Sequence, residues 1–352
     1  MKILFVDSWY PEALLFAGKR GETYDEHLRS LLNLHFGTSY YYSDAFRRMG
    51  WEAADIIGND TVGRQMWADE HGHPWASNLD SVVDQIVLEK PDFVYCQDLT
   101  FIPRGVMDQL RQRHGIRFVA QHSCSWAGDQ QVGGFETVFT SFPHYIHKIR
   151  SLGVSAHFLP IAFGHQVLDK LASVPRYHDV VFVGGVNAGR GHWKQGTDVL
   201  ARVAEDLGAR FKWWGYVIGD ESQLPQALRT SFFGPAWGLR MYQVYSLAKI
   251  VLNRHGEVAE GYANNMRLFE ATGMGALLVT EAARNLHWYF ESDVECLTYA
   301  GPEDAVAQIR RVLDDPDRLS AIAENGQRRT LAEHTYDARL KTVESKLREK
   351  IR

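Results

Sequence analysis

Five short apolar or aromatic runs constrain this chain more than anything in its composition: Ile3–Val6, Phe93–Cys96, Val180–Val183, Ile250–Leu252 and Ala276–Val279. Each is too short for a helix and lacks the in-out alternation of a strand with one wet face. Such runs are strands buried on both faces, and only a parallel sheet covered by helices on either side buries strands that way. Helical patterns lie between them, at Leu79–Glu89, Gly105–Arg113, 196–207, 239–247 and 302–313. Alternation of this kind predicts α/β architecture with doubly wound parallel sheets.

The spacing predicts further strands at Ala53–Ile57, Phe118–Ala120, Val138–Thr140, His157–Leu159 and Phe211–Trp214. The Lys90-Pro91-Asp92 junction stops a helix before a strand. With 352 residues the chain is long for one core, and two domains are expected. The alternation loosens between Pro160 and Pro175, and then restarts at Asp179. The expected division is therefore 1–165, a linker at 166–178, a second domain at 179–334, and a charged terminal helix at 335–352. No internal repeat or low-complexity tract interrupts this pattern.

Charge and cysteines exclude several classes. A formal net charge of −5 gives no hint of the basic face that nucleic acid needs, and none is expected as a partner. Three widely spaced cysteines, Cys96, Cys124 and Cys296, form neither a disulfide framework nor a zinc cluster, so no metal is expected. No run approaches the ~20 apolar residues of a membrane span. The first strand begins at once and meets Asp7, unlike a signal peptide. The expected location is the cytoplasm, with no integral membrane segment.

Two stretches carry chemistry. In the first, residues 180–196, a strand runs toward Gly184-Gly185 and then a helix, the arrangement in which free backbone N–H groups face an anion. Its glycine spacing satisfies neither the dinucleotide fingerprint nor the P-loop. What it offers is Gly185 with two cations, Arg190 and Lys194, fit for a diphosphate without a metal; an exposed surface loop has the same composition. An NAD-dependent oxidoreductase is disfavoured, because Asp7-Ser8-Trp9 after the first strand also lacks the glycines.

In the second stretch, residues 252–275, a strand ends in Asn253-Arg254-His255 and a helix is expected to start near Asn264 or Asn265, both good caps. That places Glu270 about two turns into the helix, with Arg267 on a neighbouring face. A carboxylate there can accept hydrogen bonds from both ribose hydroxyls while the helix start meets phosphate. A plain Arg267–Glu270 surface pair fits the same spacing. Trp214-Gly215-Tyr216 and Phe233-Gly234-Pro235 offer aromatic rings for a base, Tyr216 among them, or simply for the core.

The order of these pieces resembles a known family. Val-Phe-Val-Gly is followed by a basic loop, then by Tyr245-Ser246-Leu247-Ala248-Lys249-Ile250-Val251-Leu252-Asn253. Last comes Asn265-x-Arg267-x-Phe269-Glu270-Ala271-x-Gly273-x-Gly275 and a buried strand. Together they resemble the C-terminal domain of GT-B glycosyltransferases of the group 1 type, in the CgeB-like (spore-maturation-like) branch. The likeness runs from about Asp179 to the C-terminus and is weaker before it. It implies two Rossmann-like domains facing a cleft. A nucleotide-sugar donor, foremost a UDP-sugar, would be held by the second domain, with the acceptor (glycan, lipid, protein or small molecule) on the first. The donor is a co-substrate, so no cofactor is implied.

By the resemblance Glu270 binds ribose, Arg190 and Lys194 bind the diphosphate, and the last helix crosses back to the first domain. One position departs. Retaining members carry a second glutamate eight residues before the ribose-binding one, and here that residue is Tyr262. Retention and inversion both stay open. An inverting enzyme needs a base at the carboxyl ends of the first sheet, where His122 is the first candidate and Asp98 the second. A nucleotide-sugar epimerase or hydrolase on the same architecture, or a non-catalytic nucleotide-sugar-binding protein, are the alternatives.

Overall fold

The computed structural model of the chain describes residues 1–74, 76–172, 174–188 and 194–351, the side chains of Lys194 and Gln195 excepted. It divides into two units, Met1–Pro160 with Arg339–Arg352, and Ile161–Ala338. Among the described residues no helix is long and apolar enough to cross a membrane.

The first unit holds a parallel six-stranded sheet in the order β2-β1-β3-β4-β5-β6. Its strands are β1 Lys2–Asp7, β2 Glu52–Ile57, β3 Phe93–Cys96, β4 Arg117–His122, β5 Thr137–Thr140 and β6 Ser155–Phe158. Its helices are α1 Pro11–Ala17, α2 Tyr24–Leu32, α3 Tyr41–Arg48, α4 Thr61–His71, α5 Asn78–Glu89, α6 Arg104–His114, α7 Asp129–Val132 and α8 Tyr145–Ser151. Strand parity sends successive side chains to opposite faces. Leu4, Val6, Val94 and Phe118 join Val82 and Ile86 of α5 and Met107 and Leu110 of α6 in one core. Phe5, on the other face, meets Tyr42 and Phe46 of α3 edge-on, with centroids 5.6 and 5.3 Å away. Both faces are thus covered, which is why β1 is apolar from Ile3 to Val6.

The second unit has a parallel five-stranded sheet, β11-β10-β9-β7-β8. Its strands are β7 His178–Asn187, β8 Phe211–Ile218, β9 Ala248–Asn253, β10 Leu277–Glu281 and β11 Leu297–Tyr299. Its helices are α9 Lys194–Leu207, α10 Gln226–Thr230, α11 Leu239–Ser246, α12 Arg267–Gly273, α13 Pro302–Leu313 and α14 Pro316–Glu333. The core joins Phe182, Trp213, Ile250 and Leu277 to Val203 of α9 and Ile309 of α13. The segment from Ile161 packs here: Phe163 N–H donates to His334 (2.8 Å), and Tyr336 N–H donates to Phe163 (3.1 Å). The Phe163 ring lies where a Cβ on Gly273 would sit, 2.5 Å away, so α12 approaches it only through a glycine.

The last helix, α15 Tyr336–Glu349, contributes its residues from Arg339 onward to the first unit. There Trp51 Nε1 donates to Glu344 at 2.9 Å and the Arg348 guanidinium lies 5.6 Å from the Trp51 ring centre.

Each sheet reverses its winding once. The chain steps from β1 out to β2 and returns beyond β1 to β3; it steps from β7 out to β8 and returns to β9. Loops at the carboxyl ends of β1 and β3, and of β7 and β9, therefore leave toward opposite faces. Each pair opens a crevice at the switch point, where such sheets take their ligands.

Candidate functional site

The crevice of the second unit is lined by the ends of β7 and β9 and the start of α12. The glycine pair expected in a loop lies instead inside β7, which continues to Asn187, with Gly184 opposite Gly215 of β8 and Gly185 opposite Tyr216. Three close approaches explain the glycines. A Cβ on Gly184 would meet Arg267 Nη2 at 2.4 Å, one on Gly185 would meet the Tyr216 ring at 2.9 Å, and one on Gly215 would meet the Gly184 carbonyl oxygen at 2.0 Å. Gly185 therefore lies in strand, not loop, and offers its carbonyl to a neighbour, as shown below.

Arg267 is fixed by neutral oxygens. Its Nε (2.8 Å) and Nη2 donate to the Val183 carbonyl, its Nη1 donates to Asn253 Oδ1 (2.8 Å), and its guanidinium lies over the Phe182 ring at 4.5 Å. Asn253, fully buried at the end of β9, also accepts from Asn265 Nδ2 at 3.0 Å and donates to Thr280 at 2.9 Å. Asn265 Nδ2 further donates to the Arg254 carbonyl at 2.8 Å, and its Oδ1 accepts from Leu268 N–H at 3.3 Å. The helix itself starts at Arg267; Asn265 accepts from its first turn through Oδ1 and ties it to β9 through Nδ2. Glu270 consequently sits in the first turn, not two turns in.

That position matters electrostatically. Glu270 is only 5% exposed, and its Oε1 accepts a 3.4 Å hydrogen bond from Tyr242. Burial pushes its carboxyl up to about 7, although the Arg267 charge and the Tyr242 hydroxyl oppose the rise. Among the described ion pairs none joins Arg267 to Glu270, so the surface-pair alternative is not what forms. A carboxyl held this way has unused acceptor capacity, and donors from a ligand would favour its ionised form.

A second guanidinium escaped the sequence reading. Arg254, the first residue after β9, is 6% exposed and donates from Nη2 to the Gly185 carbonyl at 2.8 Å. It lies against the first turns of α9, where a Cβ on Gly196 would stand 2.1 Å from its Cδ. Burial and the nearby Arg267 charge lower it to about 10, so it stays a cation at neutral pH. Two cations and the start of a 14-residue helix thus converge at one strand edge. Its neighbour His255 bonds Glu281 through backbone N–H (3.1 Å) and Nε2 (3.1 Å), and burial holds its imidazole down to about 4.

Of the other donor candidates, Arg190 lies outside the described residues. Lys194 opens α9, and its side chain is likewise outside them. Tyr216 stacks on Trp237 with centroids 5.6 Å apart and an interplanar angle of 20°.

In the first unit, His122 closes β4 and is 1% exposed. Its Nδ1 bonds Thr140 Oγ1 at 3.0 Å, Nε2 has no partner, and the rings of Trp126, Phe142 and Tyr145 stand 5.3, 5.1 and 4.7 Å away. Burial first, then the His144 and Lys148 charges, lower its imidazole to about 4 against the opposing Cys124 backbone. Asp98 follows β3, with Oδ1 accepting from Thr100 N–H at 2.8 Å and Thr100 Oγ1 at 2.7 Å.

Comparison with known proteins agrees with this layout. Residues 194–345, which contain α9, Arg254, Arg267 and Glu270, match the family model described as "Glycosyl transferase-like". No curated protein sequence matches the chain. Among solved structures it is similar to HepE of Anabaena in complex with UDP and glucose (13% identity, 99% of this chain and 100% of that one, TM-score 0.64). It is also similar to sucrose-phosphate synthase of Thermosynechococcus elongatus (12%, 100% and 99%, TM-score 0.60). A third is the N-terminal domain of trehalose-6-phosphate phosphatase of Candida albicans (9%, 99% and 96%, TM-score 0.56). At these identities the likeness establishes the fold, which is GT-B: two parallel-sheet α/β units, with six and five strands.

Proposed function

We propose that the chain is a glycosyltransferase that moves a hexosyl group from a nucleoside diphosphate sugar, a UDP-sugar first, to an acceptor hydroxyl. The observation that carries this reading is the convergence of Glu270, Arg254 and the start of α9 on one switch-point crevice. It supplies an acceptor for two ribose hydroxyls beside cationic groups for a diphosphate, the two halves of a nucleotide's polar surface. Arg267 then acts from behind, holding Asn253 and β7 in register and biasing Glu270 toward its carboxylate. Asn265 positions the same helix start. Lys194, and Arg190 in the preceding segment, would add charge on the diphosphate side. Tyr216, stacked beside Gly185, is suited to cover the base.

Catalytically, the cations would stabilise charge developing on the leaving diphosphate as the glycosidic C–O bond breaks, a role a metal plays elsewhere. Support for transfer as the reaction comes from the family match over this same region and from the GT-B fold of a protein whose structure holds UDP and glucose. The run from Asn265 to Thr280 favours the spore-maturation-like branch of the group 1 type.

A donor screen tests the reading. Incubated in EDTA with UDP-, GDP- and dTDP-glucose and a panel of glycan, lipid and small-molecule alcohols, the protein is expected to release nucleoside diphosphate and glycosylate an alcohol. Donor consumption that never depends on an alcohol would point to the hydrolase or epimerase class, and donor binding without turnover to a binding protein.

A further inference from the structure

Arg176, two residues before β7, directs its guanidinium at backbone carbonyls. Nη1 donates to Ala248 (2.7 Å), Tyr245 (3.0 Å) and Ser246 (3.2 Å), and Nη2 donates to Met274 (2.7 Å). Tyr245 and Ser246 end α11, Ala248 opens β9, and Met274 is the residue just past α12. A helix leaves its last carbonyls without partners and its carboxyl end negative, so one cation here serves the ends of two helices. Its starting point is fixed as well, since the N–H groups of Tyr177 and His178 both donate to the Leu247 carbonyl at 3.0 Å. Gly275 leaves the space for this. Its φ is +72°, and a Cβ there would stand 2.9 Å from Arg176 Nη2 and 3.0 Å from Gln327 Nε2. Gln327 of α14 takes the neighbouring carbonyl, that of Gly273, at 3.0 Å.

The two helices joined in this way carry the ribose end of the proposed site. α12 bears Glu270, and α11 bears Tyr242, whose hydroxyl donates to Glu270 at 3.4 Å. Seven residues of helix have little stability alone, so α12 takes its place from whatever holds its ends. Asn265 and Arg267 hold the start, as described above. Arg176 and Gln327 hold the finish, and Arg176 binds α11 too. We infer that Arg176 is a positioning residue for nucleotide binding: by tying the carboxyl end of α11 to that of α12, it holds the Glu270 carboxyl where it meets ribose. This rests on the glycosyl-transfer reading and on Glu270 as its ribose acceptor. Arg176 itself touches no ligand. It acts at the amino end of β9, whereas Arg254 follows the carboxyl end of that strand, so the diphosphate contact does not depend on it.

The test titrates UDP and uridine into the full-length protein by calorimetry. Arg176→Met is expected to weaken both ligands by the same factor, about tenfold. In a Glu270→Ala background the same change should weaken UDP less than about twofold, because the contact it positions is already gone. Arg176→Lys keeps a cation but reaches fewer carbonyls. It should lose about threefold, coupled to Glu270 in the same way, and it carries the test should the methionine variant not fold. A brace without a part in binding would lower the melting temperature of these variants and leave both affinities alone. Unchanged affinities, a loss that persists in full when Glu270 is alanine, or a loss for UDP that uridine does not share would each overturn the assignment. A wild type that binds neither UDP nor uridine would instead overturn the nucleotide reading, and this assignment with it.

Discussion

Replacing Glu270 with alanine is expected to weaken UDP binding by about 10²-fold or more. Two hydrogen bonds to a charged acceptor are worth about 1.5–3 kcal/mol each, and every 1.4 kcal/mol is tenfold in affinity. Uridine should lose about as much, since the contact is to ribose. The pH dependence makes the prediction sharper. In the free protein this carboxyl titrates at about 7, and only the carboxylate can accept from both hydroxyls. Uridine affinity should therefore be level above pH 8 and fall about tenfold per unit below 7, with one proton released on binding in acid. In Glu270→Gln that dependence should vanish.

Stability should move the other way. The folded carboxyl lies above its ordinary value of 4.5, so burying it costs nothing where both states are protonated, below about 4.5, and the cost is complete above 7. Glu270→Gln removes that cost. The ligand-free variant should be more stable than wild type at pH 8, by at most about 3 kcal/mol, with the difference closing toward pH 5. Calorimetric titrations and melting curves across pH 5–8 check both arms. A uridine affinity that Glu270→Ala leaves unchanged removes this residue from the site.

Arg254→Met is expected to separate UDP from uridine. The substitution keeps an apolar stem against α9 and deletes the charge. If the guanidinium meets the diphosphate, UDP should lose about 10²-fold, the worth of one or two charge-assisted hydrogen bonds, while uridine stays within about twofold. Equal losses for the two ligands would mean that Arg254 merely braces β7 through Gly185. Titration of each ligand into wild type and variant decides between them.

The strands were legible because burial on both faces writes itself as an apolar run: Ile3–Val6 and Phe93–Cys96 need no partner to be recognised. β11 was not, since Leu297–Tyr299 is three residues long and owes its place to pairing with β10. Gly184-Gly185 reads locally as a turn. It is strand because β8 supplies Gly215 and Tyr216 opposite, a pairing that spacing cannot show. Asn265 reads as a cap, and its Oδ1 does accept from Leu268 N–H; what spacing cannot show is that its Nδ2 also ties the helix start to the end of β9.

Glu270 was found through a motif. Arg254 went unmarked because its meaning lies in Gly185, 69 positions back, and in the gap at Gly196.

The central claim, that the β7–β9 crevice grips a nucleoside diphosphate between Glu270 and Arg254, is tested most directly by a crystal structure of the protein soaked with UDP. The account predicts both ribose hydroxyls within hydrogen-bond distance of the Glu270 carboxylate and the diphosphate against the Arg254 guanidinium at the start of α9. Nucleotide density elsewhere, or at this crevice with the ribose turned away from Glu270, would contradict it.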